Sequence, residues 1–582
     1  MKIKHYFGLA VIAAMTASCS SNEDLGTAGT GTNEAGVGYA TFTINLPSVS
    51  GTRAADAGGA EMNEGTEEEY AVKSATALIF QKYGADEGSN KFVESVTLPI
   101  DGWTKDAKDD GITTTSKKLV AKLTNVDTKN DYSVLILLNN TKVDLPTVGQ
   151  SYNDWNSKIL PLSVTDWAGS DGFYMANAPL KGSAASPATL VPINKKNIYA
   201  SVAEANDPTK DCAATVFVER GVAKISVADP TPTDPKTVKD KATKAETEST
   251  VKFNNWALDI TNKKTYAVHN IDGLSVEYDK IWDTDTSNRF IGTNSRVYWG
   301  KDPNYNLPEL NTADDVNDTK RKEEFNFIDA ISKIDKDFGE TNPVYCLENT
   351  FNLDNMYQGQ TTRVIFKATY APQDDGGNSL ADDDKTFYTI GNMTTILNTD
   401  KLKAAVNAVA NPVLPTGYTI NYTNFMTKEG SHVITLADIK DADGVVLDGA
   451  TTYAPSSKTG DEIVADINAK LGLKDGRDEA KVGINTYLNG VTYYIARVKH
   501  FGDALTEWHS GESYGDNNKQ YLGRYGMLRN NWYELTVGNV YGPGYPGVPP
   551  VDPTLPDDEN EKYLSVSVKI LSWAKRSQKV DL

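Results

Sequence analysis

Hydrophobic and polar residues alternate strictly in one short stretch near each end of the chain. In the first stretch, Ala40, Phe42, Ile44 and Leu46 alternate with threonine and asparagine, and Pro47 follows. In the second stretch, the apolar positions are Leu564, Val566, Val568 and Ile570. A period of two in β-branched and aromatic residues predicts a strand with one buried face. The chain is therefore predicted to carry a similar strand near each end.

Between these stretches the pattern predicts many short strands and few helices. The predicted strands include 73–82, 119–123, 132–138, 215–227, 251–260 and 530–540. Helical periodicity is confined to 323–338, 401–409 and 461–471. Short strands separated by turn residues are typical of β-sandwiches. The predicted fold class is mainly β, with sandwich domains and a few short helices.

The first 18 residues are typical of a bacterial lipoprotein signal peptide. Lys2 and Lys4 precede a short apolar core, and Thr-Ala-Ser-Cys at 16–19 looks like a lipobox. The apolar core is too short to be a stable membrane anchor. We expect cleavage before Cys19, whose thiol would carry the lipid (palmitate); a plain signal peptide is the alternative. The precursor would then be an outer-membrane lipoprotein that meets the membrane only through this lipid.

The segment after the first predicted strand is a candidate for proteolysis. Residues 50–55 are small and polar except for the basic Arg53, and Ala54 follows it. Exposed segments of this kind are preferred sites of proteolytic nicking. A cut here would detach the first strand from the rest of the chain, whereas the alternative is an ordinary exposed arginine in a loop. A removable strand at the start and a similar strand at the end favour subunits that exchange strands.

Length and charge restrict the function further. A chain of 582 residues is expected to form about two to four domains. The net charge of −20 argues against nucleic-acid binding through bulk charge. Residues 229–250 are rich in Pro, Thr, Lys and Asp, which is typical of a linker. The predicted segments are a signal peptide at 1–18, a propeptide with the removable strand at 19–53, an N-terminal domain at 54–228, the linker at 229–250 and a C-terminal domain at 251–582.

No motif makes a convincing catalytic or metal site. Residues 511–515 fit the G-x-S-x-G pattern around Ser513, with His509 nearby, but loop residues follow where the motif needs a helix. The five histidines lack metal-binding spacing. Residues 441–444 resemble part of a calcium loop that lacks its downstream glutamate. We therefore expect no enzymatic activity, no cofactor and no metal.

Several segments taken together make the chain resemble a fimbrillin, the major-subunit family of Bacteroidales-type fimbriae, and more specifically the short-fimbria type. In the first half these segments are the lipobox at Cys19, the strand ending in Thr52-Arg53-Ala54 and FVERGVAK at 217–224. In the second half they are RVYWG at 296–300, CLENT at 346–350, RNNWY at 529–533, GPG at 542–544 and the closing strand. Their order along the chain carries the resemblance.

The resemblance implies two transthyretin-like β-sandwich domains and export as a lipoprotein. It also implies that an Arg-specific surface protease cuts after the first strand, by position between Arg53 and Ala54. The groove left by that strand would accept a strand from the next subunit, and the C-terminal strand at about 562–582 is the natural donor. The implied partners are identical subunits head to tail in a filament, together with accessory and anchor fimbrial subunits.

Two other functions fit parts of the sequence. A tip or accessory adhesin of the same assembly could use aromatic residues such as Trp508, Tyr514 and Tyr521 to bind a host or microbial surface. A surface glycan-binding lipoprotein or hydrolase would need a site that the sequence does not reveal. Because a shaft subunit needs both a removable first strand and a closing donor strand, we expect a fimbrial subunit that mediates adhesion.

Overall fold

Strands make up most of the fold in this computed structural model of the protein. The described residues are 31–32, 36–46, 65–101, 103, 116–127, 129–181, 186–278, 281, 290–291, 296–307, 310, 312, 314–391, 393–476, 481–501, 508–509, 512, 514, 516–558 and 564–572. The helices are α1 (Glu67–Tyr70), α2 (Tyr152–Asn156), α3 (Val202–Ala205), α4 (Leu274–Glu277), α5 (Asp315–Glu324), α6 (Thr399–Ala410), α7 (Thr423–Met426) and α8 (Gly460–Lys470).

The strands fall into two groups, one before Gly221 and one after it. The first group is β1 (Gly38–Asn45), β2 (Ala75–Gln81), β3 (Lys91–Thr97), β4 (Ser116–Leu123), β5 (Tyr132–Leu138), β6 (Ile159–Pro161), β7 (Ala168–Gly169), β8 (Gly172–Phe173), β9 (Met175–Asn177), β10 (Val191–Ile193), β11 (Ile198–Tyr199) and β12 (Ala214–Arg220). The second group is β13 (Val222–Val227), β14 (Lys236–Lys239), β15 (Glu246–Asp259), β16 (Thr261–Asn262), β17 (Lys264–Tyr266), β18 (Phe325–Asn326), β19 (Val344–Leu347), β20 (Arg363–Ala371), β21 (Phe387–Ile390), β22 (Thr419–Ile420), β23 (Gly430–His432), β24 (Ile439–Lys440), β25 (Thr452–Tyr453), β26 (Lys458–Thr459), β27 (Ile484–Tyr487), β28 (Val491–Arg497), β29 (Asn531–Val540) and β30 (Leu564–Ser572). The predicted mainly β fold of sandwich type is confirmed.

Nine strands of the first group form the N-terminal sheet. Their order is β11-β1-β12-β9-β5-β2-β3, with β4 paired to β1 and β10 paired to β5. Strand β12 joins the two halves of the sheet, because its first residues run parallel to β1 and its last residues run antiparallel to β9. Every residue of β5 is buried, and its apolar side chains lie in the N-terminal core. Its continuous apolar sequence is typical of a strand covered on both faces.

The chain passes from the first group of strands to the second at Gly221. A Cβ atom on Gly221 would lie 2.5 Å from Cε3 of Trp167 and 3.0 Å from Cδ1 of Tyr174. Only glycine fits such a close approach without displacing the two rings. The single strand predicted over 215–227 is therefore two strands, β12 and β13, which belong to different sheets.

Two four-stranded sheets form the C-terminal sandwich, in the orders β19-β13-β29-β30 and β14-β15-β20-β28. A shared core lies between them and includes Ile225, Phe253, Phe366 and Leu535. The stretch at 229–250, which has the composition of a linker, contains β14 and the beginning of β15. The division of the chain into domains stays a prediction.

A smaller unit is inserted between β20 and β28. Its three-stranded sheet, β21-β27-β23, packs with α6 and α8 around a separate core. These two helices confirm the helical periodicity at 401–409 and 461–471. The helix predicted at 323–338 is wrong, because α5 ends at Glu324 and the buried Phe325 begins β18. Within the described part of the chain, no helix is both long enough and apolar enough to span a bilayer.

Candidate assembly interface

Strand β1 lies in the interior of the N-terminal sheet. All eight of its residues pair antiparallel with β4, from Gly38 opposite Leu123 to Asn45 opposite Ser116. On the other side, Phe42–Asn45 run parallel to β12, and Tyr39 and Ala40 pair with β11. The strand therefore has a backbone partner along both edges.

The alternating apolar residues of β1 all enter the core. Ala40, Phe42 and Ile44 are completely buried, and Leu46 is 3% exposed. They pack in the same cluster as β5 and β12. Burying a side chain as large as Phe42, Ile44 or Leu46 contributes about 1.5–3 kcal/mol to the stability of the fold. The first strand is thus a major part of the N-terminal core.

The opposite face of β1 is partly covered by α3. The hydroxyl of Thr41 donates a hydrogen bond of 2.6 Å to the backbone carbonyl of Ala205, and Thr41 is only 5% exposed. Further along the strand, Asn45 Nδ2 donates to the carbonyl of Val216 at 3.2 Å. Because these polar side chains are satisfied by specific carbonyls, the β1 site selects for side chains that can donate a hydrogen bond as well as for apolar ones.

The chain is anchored again at Glu69, in α1. Its carboxylate accepts hydrogen bonds from Lys224 Nζ, at 2.8 Å, and from the hydroxyl of Tyr345. Its backbone carbonyl accepts from Arg220 Nε at 2.7 Å. Burial alone would raise the pKa of Glu69, but Lys224 and the other donors hold it below its usual value. Glu69 therefore binds β12, β13 and β19 where the two groups of strands meet.

The predicted cleavage site lies between β1 and Glu69 in the sequence. Leu46 is the last described residue after β1, and the described chain resumes at Gly65. Arg53, Ala54 and the lipobox at Cys19 lie outside the described residues. A cut at Arg53 would separate β1 covalently from everything that follows it, while leaving the buried contacts of Glu69 untouched.

The last strand of the described chain, β30, occupies the edge of the C-terminal sheet. It pairs antiparallel with β29, from Ser572 opposite Asn531 to Leu564 opposite Val540, with an irregularity between Val537 and Val540. The positions Leu564, Val566, Val568 and Ile570 thus lie on an edge strand that has one partner along its length. An edge strand leaves its sheet more easily than an interior strand because only one ladder of hydrogen bonds must break.

The segment between β29 and β30 is attached to the C-terminal sandwich. Arg363 NH1 and NH2 donate to the carbonyls of Pro550 and Pro549 at 3.0 and 2.7 Å. Further along, Arg524 holds the carboxylate of Asp558 with contacts of 2.8 Å from Nε and 2.6 Å from NH2. The neighbouring Asp557 is fully buried, and burial raises its pKa to about 7 against the lowering effect of an arginine. Asp558, the last described residue before β30, is therefore bound to the C-terminal sandwich through Arg524.

The residues considered for other chemistry do not form a described site. Ser513 lies outside the described residues, and the neighbouring Tyr514 is buried with its hydroxyl bonded to Asp558. Tyr521 is also buried. The carboxylate of Asp441 accepts from the backbone amides of Asp443 and Val445, as in a solvent-exposed turn. In the described part of the chain, no group of three acidic, histidine or cysteine side chains is arranged to hold a metal ion.

Residues 485–579 match the family model described as major fimbrial subunit protein type IV, fimbrillin, C-terminal. This part of the chain is thus similar to the C-terminal part of fimbrillins. The match begins in β27 and covers β28, β29 and β30, so it includes the edge strand and its attached connector. It confirms the fimbrillin resemblance seen in the sequence. The family is described as a major fimbrial subunit, and the match supports the general role of a fimbrial subunit.

The chain is also similar to several solved structures, at low sequence identity. A proposed cell adhesion protein from Parabacteroides distasonis ATCC 8503 has a TM-score of 0.37 and 11% identity, covering 93% of this chain and 99% of its own. One from Bacteroides eggerthii DSM 20697 has a TM-score of 0.32 and 12% identity, covering 95% and 98%. A fimbrial assembly protein from Parabacteroides distasonis ATCC 8503 has a TM-score of 0.25 and 11% identity, covering 62% and 94%. No curated protein matches the chain.

Proposed function

We propose that the protein is a structural subunit of an adhesive cell-surface fimbria, and that it polymerises by donor-strand exchange triggered by proteolysis. In this proposal the precursor is a lipoprotein attached through Cys19. An Arg-specific protease cuts between Arg53 and Ala54, β1 leaves its groove, and the C-terminal strand of the next subunit fills it. The observation that carries the proposal is the position of β1, an interior strand with a fully buried apolar face at the start of the fold.

The energetics favour refilling of the groove. Without β1, β4 and the first half of β12 would both expose unpaired backbone groups beside an open core. Open strand edges of this kind pair readily with an added strand. Burying four apolar side chains of a donor strand contributes roughly 6–12 kcal/mol, at about 1.5–3 kcal/mol each. Since the strand and the groove are on different subunits, contacts of this type continue head to tail and form a filament.

The same arrangement explains why the precursor would remain monomeric. While β1 is in place the groove is occupied, and β30 is paired with its own β29. Within one uncut chain, the groove and the donor strand are therefore both already paired and cannot bind another subunit. Cleavage at Arg53 would remove the covalent link that makes β1 an intramolecular, and hence favoured, occupant of the groove.

The variant Arg53→Ala tests the proposal. We expect an uncut precursor that forms no filaments, because an Arg-specific protease no longer recognises the segment. Thr52→Ala is the matched control, since it changes the neighbouring residue and keeps the arginine. N-terminal sequencing of surface-extracted protein should give a start at Ala54 for the wild type and for the control. Normal filaments from Arg53→Ala would refute the proposal.

A further inference from the structure

The two terminal strands are similar residue by residue. Residues 39–46 read Tyr-Ala-Thr-Phe-Thr-Ile-Asn-Leu, and residues 563–570 read Tyr-Leu-Ser-Val-Ser-Val-Lys-Ile. Both follow the same order: tyrosine, apolar, hydroxyl, apolar, hydroxyl, apolar, a side chain with an N–H donor, and apolar. The similarity therefore extends beyond the alternation that any half-buried strand shows.

We propose, on the basis of the donor-strand function above, that the C-terminal strand of a second copy of this chain enters the groove in the same chain direction as β1 and in one register, with Ser565 in the place of Thr41. The strand then runs parallel to β12 and antiparallel to β4. Tyr563 takes the place of Tyr39, and Ile570 takes the place of Leu46. The donor segment is thus a copy of the strand that it replaces.

The place of Thr41 is the most selective position in this register. It is buried beneath α3, and the Thr41 hydroxyl donates to the carbonyl of Ala205. A serine is small enough for this space and carries the same donor. At the place of Asn45, whose amide donates to the carbonyl of Val216, Lys569 supplies a donor on a longer side chain. Both carbonyls that β1 satisfies remain satisfied.

The apolar face also matches in total size. Leu564 is larger than Ala40, whereas Val566 is smaller than Phe42, and these two neighbouring differences offset each other. Ile44 and Leu46 are replaced by Val568 and Ile570, which are close in volume. Cores tolerate hydrophobic exchanges that conserve total volume and pattern.

Shifted registers in the same direction are disfavoured. A shift of two residues one way places Lys562 where Ala40 is completely buried. The opposite shift places the polar Ser572 at the buried position of Leu46 and Leu571 at the place of Asn45, so the carbonyl of Val216 loses its donor. Burying an unpaired ammonium or leaving a carbonyl without its donor costs free energy, and residues 563–570 avoid both costs in the proposed register.

The reversed direction is disfavoured for a similar reason. Registers that keep the apolar residues inside then place Lys569 or Leu571 under α3 at Thr41, or Lys562 at the buried position of Leu46. A lysine in either place buries an ammonium, and a leucine at Thr41 leaves the carbonyl of Ala205 without its donor.

Two single substitutions test the register. In the proposed register Ser565 lies in the buried place of Thr41, and Ser567 lies in the half-buried place of Thr43. We expect Ser565→Lys to reduce the yield of filaments from protease-treated protein at least about tenfold, because it buries a charge. Ser567→Lys should polymerise nearly as well as the wild type. The two residues are two apart and lie on the same face of β30; Ser567 is opposite Thr536 of β29, and Ser565 lies at the irregularity in that pairing.

A disulfide cross-link gives a second readout that does not depend on yield. Thr41 is directly opposite Val120 of β4. A chain carrying Ser565→Cys and Val120→Cys should therefore form subunit-to-subunit disulfides in filaments under mild oxidation. The control pair, Ser567→Cys with Val120→Cys, is displaced by two residues and should not cross-link efficiently.

The outcomes separate the register from the function on which it rests. Filaments that tolerate Ser565→Lys but not Ser567→Lys would overturn the register and leave donor-strand exchange intact. Tolerance of both substitutions, with cross-linking only in the control pair, would do the same. Filaments that form normally after deletion of residues 559–582 would overturn the donor-strand function itself.

Discussion

At the level of single residues, Glu219 shows a buried charge that is held by basic side chains around it. Glu219 is almost completely buried and contacts His269 Nδ1 at 2.8 Å and Arg296 NH2 at 2.5 Å. Burial alone would raise the pKa of Glu219, yet these two neighbours hold it at about 2. The carboxylate thus stays ionised in the folded protein far below the pH at which an ordinary glutamate is protonated.

This shift predicts a loss of stability in acid. The folded-state pKa of about 2 lies below the ordinary value of 4.5, so the contribution of Glu219 is fully present above about pH 4.5. It is lost as the pH falls from 4.5 towards 2. Glu219→Gln should therefore be less stable than the wild type at pH 7, and the difference should shrink at pH 3. Urea unfolding midpoints at the two pH values measure this, and a difference that is unchanged by pH would contradict it.

Glu87 provides an internal comparison with the opposite sign. Burial raises its pKa to about 7, although the backbone amides of Leu190 and Thr189 donate to it. Its folded-state pKa exceeds the ordinary value, so this group makes the fold less stable as the pH rises from about 4.5 to 7. The two glutamates therefore affect stability in different pH windows.

At the level of elements, the first and last strands differ in how firmly they are held. β1 is an interior strand with partners along both edges, whereas β30 is an edge strand paired with β29 alone. The described connector to β30 is fixed as far as Asp558. In the proposed exchange, the chain beyond Asp558 would move and the connector would stay attached to the C-terminal sandwich.

The firm hold on β1 predicts that cleavage alone does not empty the groove. After a cut at Arg53, β1 keeps its eight-residue pairing with β4 and its buried apolar face. Freshly nicked subunit should therefore retain the N-terminal fragment through gel filtration, and an excess of a synthetic peptide of residues 559–582 should release it. A scrambled peptide of the same composition is the control. Release of the fragment immediately on cleavage would show that the groove does not hold β1 in this way.

At the level of the whole molecule, buried ionic contacts link the strands before Gly221 to those after it. Glu69 binds Lys224 and Tyr345, which belong to β13 and β19. On the other side of the junction, Glu219 of β12 contacts Arg296 from the second part of the chain. Breaking a buried pair leaves an uncompensated charge, so these contacts resist separation of the two parts.

The junction itself predicts a sensitive glycine. Gly221→Ala places a methyl group 2.5 Å from Trp167, so we expect overpacking to destabilise the protein by about 1–3 kcal/mol. Gly547→Ala is the matched control, because the nearest atom to its Cβ would be 3.6 Å away. Thermal unfolding of the two variants measures the difference. Equal melting temperatures would mean that the two aromatic rings move aside without cost.

Most of the local structure could be predicted from the sequence. Alternation of apolar residues marked β1 and the closing strand, a continuous apolar run marked β5, and helical periodicity marked α6 and α8. These patterns are readable because each residue's exposure repeats with the period of its own element. The donor-like similarity of residues 563–570 to residues 39–46 is also a property of the sequence alone.

The contacts between elements, in contrast, could not be predicted from the sequence. The parallel partner of β1 is β12, far along the chain, and no local pattern specifies that pairing. The break at Gly221 depends on Trp167, and the pairing of Glu69 with Lys224 joins distant segments. The stretch at 229–250 has the composition of a linker, yet it contains strand because β14 pairs with the beginning of β15, which pairs with β20 from Thr250 onward. Local periodicity reports how an element is exposed, whereas contacts between distant residues depend on packing of the whole chain.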